Sequence, residues 1–375
     1  MAKKKQAPSK ENLGLFQDYD LFGDAGAGRE ERADMLSAIQ AEISPAEAVE
    51  KPKDFRTIHQ GVSTNALSKI GATDSNTTLD RISGEATIRD GNLIVSIPDY
   101  EQLSGLRTTA FQLLDAITIV LTETGAKSPT VLLTRDEFMK RRGLSDRKEA
   151  KKQAVADLTT LSRIRLSWEE KHNGEVETFK AVNLVDSVEV MRNGDIVFTF
   201  GSTFFNILKG YPVMPYPSQL QRLNSKRTPN SFYFLRKITE LKNMNFGKKN
   251  EDIISVETLL RASPYMKSYA EVASGDRAVR RSIIDPFERD LDALDETLTW
   301  EYCHSLGEPL TDEEVETMSY EIFEGLLVKI TWRNYPEQIQ EAKLERRAEA
   351  IEKATKPKRK RASKKKKPAP ETPES

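Results

Sequence analysis

Apolar positions follow no sustained period through residues 1–85, where Gly23-Asp24-Ala25-Gly26-Ala27-Gly28, Ser44-Pro45 and Lys51-Pro52 interrupt the chain. That stretch reads as a disordered arm with at most one short helix over 29–40. Order begins at 86–97, where Asp90-Gly91 between β-branched runs predicts a hairpin that Pro98 closes. Phe111, Leu114, Ile117 or Thr118 and Leu121 then recur at helical spacing, predicting a helix over 108–124 that Gly125 stops. A short strand at 130–133 precedes Thr134, which has Glu137 three residues on, the pattern of a capping box, and a helix containing Phe138. A third helix is expected over 146–161, with Val155, Leu158 and Leu161 inward and Arg147, Lys148, Lys151 and Lys152 outward. Strands at 164–168 and 178–185, joined through His172-Asn173-Gly174, complete a helix, strand, helix, helix, hairpin order. This is the order of a winged helix.

The order then repeats. A strand at 195–200 and a connector marked by Pro212, Pro215 and Pro217 lead to a helix over 229–244 that packs Phe232, Leu235, Ile238 and Leu241. A short strand at 253–254, a helix started by Ser255 and ended by Pro264, and a third helix over 276–294, bent at Pro286, follow. Strands at 298–302 and 326–332 form a second hairpin across an acidic loop. The expected fold is α+β: two tandem winged-helix domains with disordered N- and C-terminal tails. Its divisions are an arm at 1–85, domains at 86–210 and 218–335, and a helical extension with a basic tail at 336–375.

Charge sharpens this picture. The 375 residues hold 57 Lys and Arg against 58 Asp and Glu, a net −1. The balance hides segregation, because residues 353–367 carry ten basic side chains and no acid. Residues 222–249 carry eight basic residues against Glu240 alone, and 135–165 carry ten against five acids. Clustered cations strengthen binding to a polyphosphate by releasing its counterions. The competing reading is that such clusters merely solvate helix faces.

Arg277, Arg280 and Arg281 stand at i, i+3 and i+4, on one face of the first half of the second domain's third helix. That part of a recognition helix reaches base edges in the major groove. A solvated basic face, or pairing with Asp285 and Glu288, is the alternative. Lys148, Lys151 and Lys152 suit phosphate contacts, since an ammonium lacks the planar fork that reads guanine. Lys226 and Arg227 add charge ahead of the 229–244 helix.

Enzyme chemistry finds little support. One cysteine, Cys303, excludes an intramolecular disulfide framework, and His59, His172 and His304 are too scattered for a histidine metal site. Gly23–Gly28 lacks the following Lys-Ser/Thr of a phosphate-binding loop. Asp290, Asp292 and Asp295 do not share one helix face, so they are expected on a solvated surface. Tyr233 is expected on a helix rim. Cys303 and His304 are strand neighbours that point to opposite faces. The expectation is a non-enzyme with no catalytic residue, metal or cofactor. The longest apolar stretch, at 117–121, is far short of the ~20 residues of a membrane span. With no apolar leader after Met1, a soluble, cytoplasmic protein with no membrane partner is expected.

Asn224-Ser225-Lys226-Arg227 before Phe232-Tyr233-Phe234-Leu235, with Val279-Arg280-Arg281-Ser282-Ile283-Ile284-Asp285-Pro286-Phe287-Glu288-Arg289-Asp290-Leu291 further on, resembles the theta-type plasmid replication initiators. This is the iteron-binding Rep family, with tandem winged helices. The resemblance implies binding of repeated double-stranded sites at an origin, dimer–monomer switching of a homodimer, melting of an AT-rich segment and recruitment of the replicative helicase. Asn12-Leu13-Gly14-Leu15-Phe16 is similar to the peptide with which bacterial proteins dock on the replicative sliding clamp, with Asn12 in place of Gln. Leu13, Leu15 and Phe16 would be its anchors, and residual apolar packing on the body is the other reading. A winged-helix transcriptional regulator, a partition-type DNA-binding protein and an RNA-binding adaptor led by the tail are the rival functions.

Overall fold

The computed structural model describes residues 54–68, 76–80, 85–90, 93–98, 108–172, 175–224, 226–273, 279–304, 307–316 and 318–355. One compact unit holds residues 43–346, and a second comprises 1–42 with 347–375, of which 347–355 are described as the end of a helix.

The larger unit opens with β1 (Phe55–His59), α1 (Val62–Ser68), β2 (Asn76–Asp80), β3 (Glu85–Asp90) and β4 (Leu93–Ile97). The expected disordered arm to residue 85 is therefore corrected from Phe55 onward. Phe55, Ile58 and Leu67 are buried in the core. They gain that burial from a partner distant in sequence, so no local period announces them. Next come α2 (Thr108–Glu123), β5 (Thr130–Leu133), α3 (Arg135–Arg142) and α4 (Arg147–Leu161). Local chemistry sets their ends. Thr134 Oγ1 accepts the Glu137 amide, Gly143 leaves α3 at φ 64°, and Asp146 accepts the Glu149 amide to start α4. Thirteen of the sixteen residues of α2 are buried, so it is the central helix of its half.

The strands β6 (Arg165–His172), β7 (Glu175–Asn183), β8 (Val185–Val190) and β9 (Ile196–Phe200) follow. The expected hairpin of the first domain, β6 with β7, lies instead in a five-stranded sheet ordered β2-β3-β4-β6-β7. The hairpin that joins β5 is β8–β9, in a sheet ordered β5-β9-β8. Ile196, Phe198 and Phe200 alternate into the core, which fixes the face of β9 and therefore its register against β5.

A glycine holds the next junction. Gly201 ends β9 so close to β7 that a side chain would overlap the carbonyl oxygen of Asn183. Gly201→Ala is expected to lower stability by about 1–3 kcal/mol, the cost of overpacking. A fall in the urea midpoint at constant slope would register it; an unchanged midpoint would refute the close approach.

Beyond it run α5 (Ser202–Lys209), β10 (Val213–Pro217), a 3-10 turn (Ser218–Gln221), α6 (Ser231–Asn245), β11 (Ile253–Ser255), α7 (Val256–Ala262) and α8 (Tyr269–Ala273). A π turn (Arg280–Ile284) continues into α9 (Asp285–Asp292). The expected bend at Pro286 takes this form because proline lacks an N–H and its ring crowds the carbonyl four residues back. Widening the turn, with the Asp285 amide bonded to Arg280 O, moves that carbonyl aside. The chain ends with β12 (Leu298–Cys303), α10 (Asp312–Glu316), α11 (Tyr320–Gly325), β13 (Leu327–Trp332) and α12 (Glu337–Thr355). Among the described residues no helix is long and apolar enough to cross a membrane.

The architecture is α+β, and one order occurs twice. α2, β5, α3, α4 and the β8–β9 hairpin correspond to α6, β11, α7, α9 and the β12–β13 pair. In each three-stranded sheet the last strand lies in the middle: β5-β9-β8 and β11-β13-β12. The insertions differ: β6–β7 precedes the hairpin in the first half, and 304–326 interrupts it in the second. The segment expected as a connector is buried instead. β10 pairs with β1, and Met214, Tyr216 and Leu220 enter the core. There Tyr216 and Arg236 both donate to the carboxylate of Asp115, at 2.7 and 2.5 Å, tying α2 to α6. Tyr233, expected on a rim, is buried with its hydroxyl 3.4 Å from Thr108 Oγ1.

Candidate nucleic-acid interface

The helix α4 is two-sided. Ala150, Ala154, Leu158 and Leu161 face the core. Lys148, Lys152, Val155 and Thr159 are exposed at i, i+4, i+7 and i+11, one line along its outer side. Val155, expected inward, stands 47% exposed. The packing of α2 against α4 selects the alanine row, and Val155 lies off that row.

Lys151 has a different duty from its neighbours. It is half-buried, and its Nζ donates to the carbonyls of Met191 and Arg192 at 3.1 and 3.5 Å, binding α4 to the tip of the β8–β9 hairpin. Arg135 holds the tip from the other side, donating from Nη1 to Asn193 O at 2.9 Å and from its amide to Asp195 at 2.8 Å. Gly194, at φ 94°, makes the turn. Arg192 is thereby presented to solvent beside α4. Arg192 falls between the strand expected to end at 185 and the one expected to start at 195, in a stretch assigned to no element. The available clue was Asn193-Gly194 between alternating apolar runs.

The second half is arranged differently. Arg280 and Arg281 are exposed; Arg277 lies outside the described residues. Arg280 Nε is 3.5 Å from Asp285, and its Nη1 donates to Val315 O at 3.3 Å, within the 304–326 insertion. Asp285, Asp292, Asp295 and Glu296 are exposed on α9 and the turn after it, and Glu288 is half-buried. Burial pushes the Glu288 carboxyl up, opposed by the Tyr302 hydroxyl that donates to it at 3.2 Å and by Arg280. The insertion itself carries Glu308, Asp312, Glu313, Glu314, Glu316, Glu321 and Glu324 without a Lys or Arg.

Asp290, expected on a solvated surface, is fully buried. It accepts from the Asn230 amide and side chain at 2.9 and 2.8 Å, anchoring α9 to the start of α6. Lys226 and Arg227 are exposed in the turn before α6, off either third helix. Leu13, Leu15 and Phe16 and the basic run from 356 lie outside the described residues.

The two third helices therefore differ in field. α4 exposes Arg147, Lys148 and Lys152 against Glu149, whereas the described arginines of the second half share their surface with a larger number of carboxylates. A polyanion is attracted to the first and repelled by much of the second.

No protein-family model matches the chain, and no curated protein matches it in sequence. Among solved structures, a selenomethionine crystal structure of RctB domains 2 and 3 aligns at 10% identity and a TM-score of 0.37, covering 79% of this chain and 98% of that one. A crystal structure of RctB domains 2-3 aligns at 11% identity and a TM-score of 0.35, covering 74% of this chain and 98% of that one. Identity and score are too low to transfer a function.

Proposed function

We propose that this chain is a sequence-specific double-stranded DNA-binding protein that initiates replication at origin repeats, acting by binding rather than by catalysis. The observation that carries the reading is the repeated helix, strand, helix, helix, hairpin order with the last strand central in both sheets. Both halves read as winged helices, a module whose third helix enters the major groove while its hairpin meets the flanking backbone. In the first half the basic side of α4 and Arg192 on the hairpin tip stand together, held by Lys151. Lys148 and Lys152 serve as phosphate contacts that set position, and α4 supplies the surface that meets bases.

Origin opening, homodimer switching, helicase recruitment and sliding-clamp docking belong to this reading through the sequence resemblance to the iteron-binding initiators. Footprinting on DNA flanking the gene tests it. Tandem repeats beside an AT-rich stretch support initiation; one palindrome over a promoter supports a transcriptional regulator instead. Transformation with a plasmid carrying only the gene and the footprinted DNA then decides replication.

A charge prediction accompanies it. Lys148→Ala with Lys152→Ala is expected to weaken binding to all duplexes and to reduce the slope of log K against log salt by about 0.9 per lysine. An unchanged slope in a salt titration would remove α4 from the interface.

A further inference from the structure

Val155 has no structural reason for its place. It is 47% exposed on a helix, where a β-branched residue is a poor former, so neither burial nor propensity selects it. A lone exposed aliphatic side chain is ordinary; its neighbours make this one informative. Lys148 and Lys152 precede it along the outer line of α4 and Thr159 follows. Laid in a groove, this line would present two ammonium groups, then an apolar group, then a hydroxyl.

Among the groups that base pairs present in that groove, the C5 methyl of thymine is the apolar one. An isopropyl group cannot accept or donate a hydrogen bond. Packed on a methyl it gains buried apolar surface. Packed on a cytosine amino group or a guanine carbonyl, it strips water without replacing the hydrogen bonds, so the same contact also excludes the wrong base. Among the described residues the second half has no equivalent row, because Asp285 and Asp292 are exposed along α9 at i and i+7 and would repel phosphates.

We infer that Val155 is a specificity-determining residue that packs on the methyl of a thymine in the major groove, and that α4 is the helix that reads sequence. The inference rests on the DNA-binding function proposed above. Its test uses the full chain and a duplex enriched by that chain from a randomised pool. The duplex is resynthesised with uracil at one thymine position at a time, which deletes one methyl and leaves the base-pair hydrogen bonds intact. The wild type is expected to bind about four-fold more weakly at one position, the worth of one buried methyl. Val155→Ser should show no loss at that position and Val155→Ile should retain it, with wild-type circular dichroism for both.

Equal uracil effects in wild type and Val155→Ser would overturn the assignment alone. A pool that yields no preferred sequence would overturn both the assignment and the sequence-reading function. A Val155→Ser protein that keeps its uracil profile but changes its sedimentation would make Val155 a contact between copies, and that too overturns it.

Discussion

Arg236→Met is expected to cost about 3–5 kcal/mol of folding stability, the range for stranding one partner of a buried ion pair. Arg236 donates to Asp115 at 2.5 Å, and both are nearly excluded from solvent. Without the guanidinium the carboxylate keeps only the Tyr216 hydroxyl, at 2.7 Å. The loss should depend on pH. Burial already pushes the Asp115 carboxyl above its ordinary range, with Arg236 and Tyr216 pulling the other way. A raised folded value means that the folded state holds the proton more tightly than the unfolded chain, so this group destabilises folding increasingly as pH rises through that interval. Removing Arg236 raises the value further. Urea titrations should therefore show the deficit of Arg236→Met shrinking from about pH 8 to about pH 5. Asp115→Asn in the same chain should restore much of it at neutral pH, because a neutral amide still accepts from Tyr216. A deficit that is flat with pH, or no recovery in the double variant, would mean that the pair is not what joins α2 to α6.

Asp290→Ala should be nearly as damaging. Asn230 donates to its carboxylate from both amide and side chain, and Arg289 Nε donates from 2.8 Å. Asn230 is also the N-cap of α6 and makes no capping bond with its own side chain. Truncation would leave the Asn230 amide without an acceptor and its Nδ2 with only Met266 Sδ, at a buried helix start, at a cost of about 3 kcal/mol. Asp290→Asn, which keeps one carbonyl oxygen, should lose roughly half as much, since hydrogen bonds to a charged acceptor are about twice as strong. Thermal unfolding would measure both, and hydrogen exchange at the Asn230 amide would locate the effect. A change within about 0.5 kcal/mol, as at an ordinary surface position, would contradict the burial of this side chain.

These two residues illustrate where sequence reading reached and where it stopped. The helix α2, the Thr134 cap of α3, the Asp146 start of α4 and the aromatic helix α6 were all foreseeable. Each depends on side chains within a few residues of one another: periodic apolar positions, or a hydroxyl or carboxylate over the first amides. Asp290 was misjudged for the same reason. Its neighbours in sequence, Asp292 and Asp295, are exposed, but its partner Asn230 comes from another helix. Arg192 was missed because a strand does not carry the name of its neighbour. β9 could be seen as a strand, yet its pairing with β5 rather than with a later element depended on which edge was free and which face met α2.

Composition and local pattern alone thus established the principal helices of each half, the caps of α3 and α4, the clustering of cations and the recurrence of one element order. Long-range packing chose the partners of β1, β5 and β9, buried Asp115, Arg236 and Asp290, assigned Lys151 to the hairpin and left Val155 facing outward. Hydrogen bonds along a helix link residues four apart, so their pattern is written locally. Sheet partners and the dry side of a helix are settled by surfaces that meet only when the chain has closed on itself.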